Sequence, residues 1–203
     1  GDFNGDGKAD IWSFENTGLK IYTLVGSTLE IIYNSSWPTR KHFFNLGDFN
    51  GDGKVDMFLY GAGRGETEYD WSDWQIRLST GTDFETVYIP KKKNNLKDDL
   101  VRLGDFDGDG STDIMVTAKE ISWNGVNFYI SKNNGTDLYV HNIAGYPAPN
   151  HNYYVSDYDG DNHTDFILTD GQSPWWTGYQ VYKTTGKTSV LLEKAGNDIV
   201  FQV

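Results

Sequence analysis

GDFNGDGKAD, residues 1–10, decides the fold, because the chain repeats it with small changes. GDFNGDGKVD fills 47–56, GDFDGDGSTD fills 104–113 and SDYDGDNHTD fills 156–165. Each copy places an acid or amide at three alternate positions and a last Asp four residues on. The sets are Asp2, Asn4, Asp6 and Asp10; Asp48, Asn50, Asp52 and Asp56; Asp105, Asp107, Asp109 and Asp113; and Asp157, Asp159, Asp161 and Asp165. Oxygens at that spacing in a tight loop can converge on one point. Carboxylate and amide oxygens suit a hard cation, and Ca²⁺ accepts six to eight of them in flexible geometry. Gly5 and Gly7 let the chain curl, since glycine reaches positive φ without steric cost. Asn162 takes the second glycine's place in the last copy, and Asn tolerates the left-handed conformation. The backbone carbonyl of Lys8 is the expected fifth protein ligand, with Lys54, Ser111 and His163 its counterparts. Up to four Ca²⁺ are expected. Mg²⁺ fits less well, because it keeps several waters and takes fewer protein ligands.

Two other structures compete with this reading of the loops. An EF-hand loop closes on a Glu at position 12. Counted from the first Asp, position 12 is Ser13, Leu59, Val116 or Leu168, so that reading fails. An Asp-Gly loop can also be a good turn and nothing more. Four copies with all sixteen ligand positions filled by Asp or Asn argue for a metal.

The motifs begin at 2, 48, 105 and 157, so the repeat is roughly fifty residues long. ADIWSF, VDMFLY, TDIMVT and TDFILT follow the loops and read as strands. LKIYTLVGSTL (19–29), WQIRLSTGTDF (74–84), FYISKNNGTDL (128–138) and YQVYKTTGKTS (179–189) align without gaps on Gly26, Gly81, Gly135 and Gly186. Each reads as a strand entering a glycine turn, with another short strand beyond it. KHFFNLGDF, DLVRLGDF and NYYVSDY supply a strand before three of the loops. Four antiparallel strands in about fifty residues make a β-propeller blade. The expected fold is all-β: one β-propeller domain over 1–203, with repeats at 1–40, 41–96, 97–149 and 150–196. Residues 197–203, NDIVFQV, are the expected closing strand of a four-bladed ring. Four blades of a larger propeller is the alternative.

Motif and spacing resemble the FG-GAP/VCBS repeat family of calcium-loop propeller repeats, found in integrin α-subunit heads and bacterial secreted proteins. The resemblance covers the whole chain. It is strongest in GDFNGDGKADI and GDFNGDGKVDMFLYGAG, where Gly61-Ala62-Gly63 is similar to the family's Gly-Ala-Pro ending. It implies calcium at the positions named above. Asn162, and Ser156 in place of a glycine, depart from the pattern.

Net charge is −12, and 14 of the 29 acidic residues lie in the four loops. The acidity is therefore mostly metal chemistry, and folding should be coupled to metal. No basic face for nucleic acid is evident. Absent cysteines exclude a disulfide scaffold and thiol catalysis. No membrane-inserting run or signal peptide is visible. The reading is a piece of a larger secreted chain, at the cell surface or outside it, where calcium is plentiful.

The hairpins opposite the metal loops vary most in length. From the last loop Asp to the landmark glycine the chain runs 16, 25, 22 and 21 residues, and the surplus is assigned to those hairpins. With the neighbouring connections they carry Trp37, Tyr69, Trp71, Trp123, Tyr146, Trp175 and Trp176. Aromatic rings stack on pyranose faces, and nearby amides and carboxylates bond hydroxyls. Trp12 and Trp74 read as core. Catalysis is not expected: no nucleophile elbow occurs, and Glu66, Glu68, Asp70 and Asp73 read as a solvated hairpin. A carbohydrate-binding module, lectin-like, is the first expectation, with a glycan as partner. A structural or protein-interaction propeller is the second, as in an adhesin or toxin shell that meets a cell-surface protein. A non-catalytic appendage of a polysaccharide-degrading enzyme is the third.

Overall fold

The computed structural model describes residues 1–15, 18–36, 42–61, 75–88, 100–117, 125–132, 137–144, 151–170, 178–185 and 189–196. All regular structure among them is β-strand. The chain forms two compact units, Gly1–Lys97 with Lys132–Asp137, and Asp98–Ser131 with Leu138–Val203.

In the first unit, β1 (Ile11–Glu15), β2 (Gly18–Val25) and β3 (Thr28–Ser35) make a three-stranded sheet. β4 (His42–Gly47), β5 (Asp56–Gly61), β6 (Gln75–Ser79) and β7 (Phe84–Tyr88) make a four-stranded one. The second unit holds two four-stranded sheets. One is β8 (Leu100–Gly104), β9 (Asp113–Thr117), β10 (Gly125–Lys132) and β11 (Asp137–Ala144). The other is β12 (His151–Ser156), β13 (Asp165–Asp170), β14 (Gly178–Thr184) and β15 (Ser189–Gly196). Every sheet follows chain order, as an up-and-down meander with one sheet per repeat. Among the described residues the first sheet lacks the strand that precedes a loop in the others. The segment expected to supply it, 197–203, lies outside the described residues.

Alternation along the strands sends apolar side chains to shared cores. In the first unit Phe3, Leu19 and Ile21 from repeat 1 pack with Met57 and Leu59 from repeat 2. Trp12 joins them, edge-on to Phe3 at 5.7 Å between ring centroids, so its core assignment holds. Phe14 stacks on Phe44 at 3.8 Å between the two sheets. In the second unit Phe106, Met115 and Ile130 from repeat 3 pack with Phe166, Leu168 and Tyr182 from repeat 4. The same step, one repeat seated on the next, thus occurs in each unit.

One reading needs correction. The ladder sets Ile21, Ile76, Phe128 and Val181 opposite Trp12, Phe58, Met115 and Ile167, which all stand two residues past the last loop Asp. From that strand residue to the landmark glycine is five residues in repeats 1, 2 and 4 but seven in repeat 3. The gap-free alignment is therefore two residues out of register in repeat 3. Part of that repeat's surplus length lies on the far side of the paired strand residue, not in the hairpin. A two-residue slip keeps every side chain on its own face, so apolar alternation alone could not detect it.

Candidate metal loops

Each loop is folded by its own first aspartate. Asp2 Oδ1 accepts the amides of Gly5 and Asp6 at 2.7 and 3.2 Å, and its Oδ2 accepts that of Gly7 at 2.7 Å. Asp48 does the same with Gly51, Asp52 and Gly53. Asp105 does so with Gly108, Asp109 and Gly110, and Asp157 with Gly160, Asp161 and Asn162. Such a curl needs left-handed residues. Gly5 and Gly7 sit at φ 76° and 82°, and Asn162 sits at φ 67°, as its substitution implies. The third acid then accepts the amide two residues on, as in Asp6 to Lys8 and Asp109 to Ser111.

The last aspartate behaves differently. Asp10, Asp56, Asp113 and Asp165 are buried, while the other loop acids are partly or fully open to solvent. Oδ2 of each accepts the amide of the loop's second residue, Phe3, Phe49, Phe106 or Tyr158, at 2.8–3.1 Å. Oδ1 of Asp56, Asp113 and Asp165 accepts an amide from β6, β10 or β14, that of Ser79, Ser131 or Thr184. Asp10 Oδ1 is buried without a hydrogen bond. Burial is the main force on the carboxyls of Asp56, Asp113 and Asp165. It pushes Asp56 up to about 7 and Asp113 up to about 8, against the pull of the two amides and with the push of neighbouring aspartates. Asp165 is raised for the same reason.

Adjacent loops within a unit are latched. Val55 N donates to Asp2 O at 2.6 Å, and Ser79 Oγ to Phe3 O at 2.6 Å. In the second unit Thr164 N donates to Asp105 O, and Thr184 Oγ1 to Phe106 O at 3.0 Å. A Cβ on Gly104 would come within 2.4 Å of Thr164 Cγ2, which explains the glycine before the first Asp there.

The donors fit a calcium ion. One oxygen each from Asp105, Asp107 and Asp109, and one each from Asp157, Asp159 and Asp165, lie within 4.8 Å of one another. Oxygens about 2.3–2.6 Å from a common centre span no more than about 5 Å, so one Ca²⁺ can touch all three in either set. Asp10 Oδ1 adds a buried carboxylate oxygen with capacity to spare.

Sequence reasoning missed two things here. The loop phenylalanines Phe3, Phe49 and Phe106 are fully buried anchors, legible in retrospect as the one aromatic residue inside an acidic loop. Lys183 was also missed. It stands 24 residues from Asp159, yet its Nζ bonds Asp159 Oδ2 and Asp161 Oδ2. The aromatic residues read as a sugar site, Trp37, Tyr69, Trp71, Trp123, Tyr146, Trp175 and Trp176, lie outside the described residues, as does Trp74.

A family model for the FG-GAP-like repeat matches residues 2–59 and 105–168, more than half of the chain. The chain belongs to the FG-GAP-like repeat family. The two matched stretches cover all four acidic loops, one pair in each unit. No curated protein sequence matches this FG-GAP-like chain. Among solved structures it is similar to an Agrocybe aegerita lectin described as specifically recognising non-reducing terminal N-acetylglucosamine. The TM-score is 0.68 at 18% identity, over 96% of this chain and 51% of the lectin's. The two share a fold, and this chain spans about half the length of its neighbour.

Proposed function

We propose that this FG-GAP-like chain is a calcium-stabilised, extracellular carbohydrate-binding module, with its sheets acting as β-propeller blades. The observation that carries the calcium part is the convergence of three carboxylate oxygens in each of two loops. Bound there, Ca²⁺ would neutralise the loop carboxylates. The chain's own residues do the rest: the first Asp shapes the loop, and the last Asp ties it to the sheet core through β6, β10 or β14. Calcium chemistry in turn supports the extracellular assignment, since weak calcium sites stay filled where the free ion is millimolar.

The carbohydrate part is supported by a shared fold with a lectin that recognises terminal N-acetylglucosamine. It is supported also by the aromatic content of the variable connections. A fold hosts many functions, so the site itself has to be tested. The test is a glycan array that includes terminal N-acetylglucosamine, run with calcium-loaded protein, with chelated protein and with the Trp175→Ala/Trp176→Ala variant. Saturable binding lost in that variant is the expected result. A folded, calcium-loaded sample that binds no glycan would overturn the carbohydrate reading.

One observation favours protein contact as a second reading. The register places Ile11, Tyr22, Leu24, Leu29 and Ile31 on one face of the β1–β2–β3 sheet. The four aliphatic residues of that face are each half exposed. Such a patch suits a protein surface better than a sugar.

A further inference from the structure

Within each unit one repeat seats on the one before it, and the packing shows which faces meet. Repeat 2 offers Met57 and Leu59 to Phe3 of repeat 1. Repeat 4 offers Phe166 and Leu168 to Phe106 and Met115 of repeat 3. Met57 and Phe166 directly follow the last loop Asp, and Ile11 is their counterpart in repeat 1. Met57 and Phe166 are buried, but Ile11 is 53% exposed, and Leu24, Leu29 and Ile31 on the same face are about as open. The opposite face of repeat 4 is open too. Tyr158 is the counterpart of the buried Phe3 and Phe106, yet it is 42% exposed. Tyr154, set opposite Ile167 in the ladder, is 55% exposed. The chain thus carries both halves of a repeat-to-repeat contact, and both are open to solvent.

The loops carry matching signs. Val55 N and Thr164 N donate to Asp2 O and Asp105 O of the loop before them. Ala9 holds that position in repeat 1. Ala9 and Asp157 of repeat 4 are exposed, whereas Val55, Thr164, Asp2 and Asp105 are half-buried. Beside those bonds, a Cβ on Gly1 or Gly104 would strike the side chain of Val55 or Thr164. Repeat 4 has Ser156 in the glycine's place, and repeat 1 has Ala9 in place of the branched side chain. The larger residue on one half is matched by the smaller on the other. Leu24 stands where Ser79 and Thr184 send a hydroxyl to the loop before them, so apolar contact replaces a hydrogen bond there.

We propose that the open β1–β2–β3 face seats repeat 4 of a second copy of this chain, head to tail. This rests on the protein-contact reading above and names its partner. Burial of the aliphatic face and the two tyrosines drives the contact, and the fit of Ala9 to Ser156 sets its register. Because the two faces differ, each pair leaves one of each free and can extend into a ring or an open array.

The test is sedimentation of the whole chain, with calcium present, over a wide range of concentration. Species larger than one copy should grow with concentration. Leu24→Asp and Tyr154→Asp should each stay monomeric alone. Mixed, they should form a one-to-one pair, because each keeps the half that the other has lost. Ala9→Val should weaken association about tenfold or more by crowding Ser156, and Ser156→Gly in the same chain should restore it. The loop at 47–56 already carries that valine, and the other three loops carry that glycine, so neither change should disturb folding. A native chain that is monomeric at every concentration overturns the proposal. So does association that survives either Asp variant or is indifferent to Ala9→Val, and so do Asp variants that fail to pair when mixed. If the native chain is monomeric, an apolar dye separates this failure from that of the protein-contact reading. Dye bound by the native chain and lost in Leu24→Asp leaves the face open to another protein, whereas no dye binding removes that reading as well.

Discussion

Residues 1–10 and 47–56 differ at a single position, Ala9 against Val55, yet the structure uses the two loops differently. Asp56 is fully buried and bracketed by two amides, Phe49 N on Oδ2 and Ser79 N on Oδ1. Asp10 has the first bond, from Phe3 N, and no partner for Oδ1. Val55 N reaches across to Asp2 O, and Ser79 Oγ reaches to Phe3 O, so the second loop is stitched to the first. Near-identical decapeptides thus fold alike inside and differ in what the neighbouring strands offer them. The second unit repeats the scheme with Thr164 and Thr184 in the roles of Val55 and Ser79.

The largest expected effect is calcium removal. Chelation removes the ions that would balance the fourteen loop carboxylates, and the melting temperature should fall by on the order of 10 °C or more. A scan showing equal melting with calcium and with chelator would remove the ion from the stability argument.

Next in size is the contrast between the two closing aspartates. Asp56→Ala loses two buried hydrogen bonds and strands two amides, at a cost of about 3 kcal/mol. Asp10→Ala should cost about half of that, because only one of its oxygens is bonded. Urea unfolding of the chelated protein reads both, and equal losses would break the comparison.

Gly104→Ala should cost about 1–3 kcal/mol, since the new Cβ meets Thr164 Cγ2 at 2.4 Å. Gly104→Ala combined with Thr164→Ser, which removes that methyl, should recover part of the loss. No recovery would mean that the contact is not the cause.

The pH response of the chelated protein should be smaller but of definite sign. Asp56 and Asp113 have folded values of about 7 and about 8, above the ordinary carboxylate value. The folded state therefore holds more protons than the unfolded one between about pH 4 and those values. Stability from these groups is full below about pH 4 and is lost as the pH rises through about 7 to 8. Melting of chelated protein should decline over that range, and calcium should flatten the slope. A rising melting temperature there would contradict the burial argument.

Smallest is Ser79→Ala, which removes the hydroxyl latch to Phe3 O and should cost about 1 kcal/mol, with Thr184→Ala matching it in the second unit. A cost confined to one unit would show that the two latches are not equivalent.

Which parts were legible follows from range. The curl of each loop is a contact between residues two to five apart, and Asp, Asn and Gly at fixed spacing encode it directly. The strands were legible because apolar alternation has a period of two, and the four copies vouch for one another. Phe128 was misplaced because a two-residue slip preserves that period. The bracketing of Asp56, Asp113 and Asp165 was not legible. Their partners lie 23, 18 and 19 residues away on a strand whose register the sequence leaves open.

The sequence by itself determined the four acidic loops, their left-handed corners, the all-β repeat and the hard-oxygen chemistry, because each is written in neighbouring residues. Only the tertiary structure decided which loop oxygens are buried, which loops are stitched to one another, and that Lys183 reaches Asp159 and Asp161. Those outcomes depend on strand register and on packing between sheets, where residues far apart in sequence are brought within hydrogen-bonding distance.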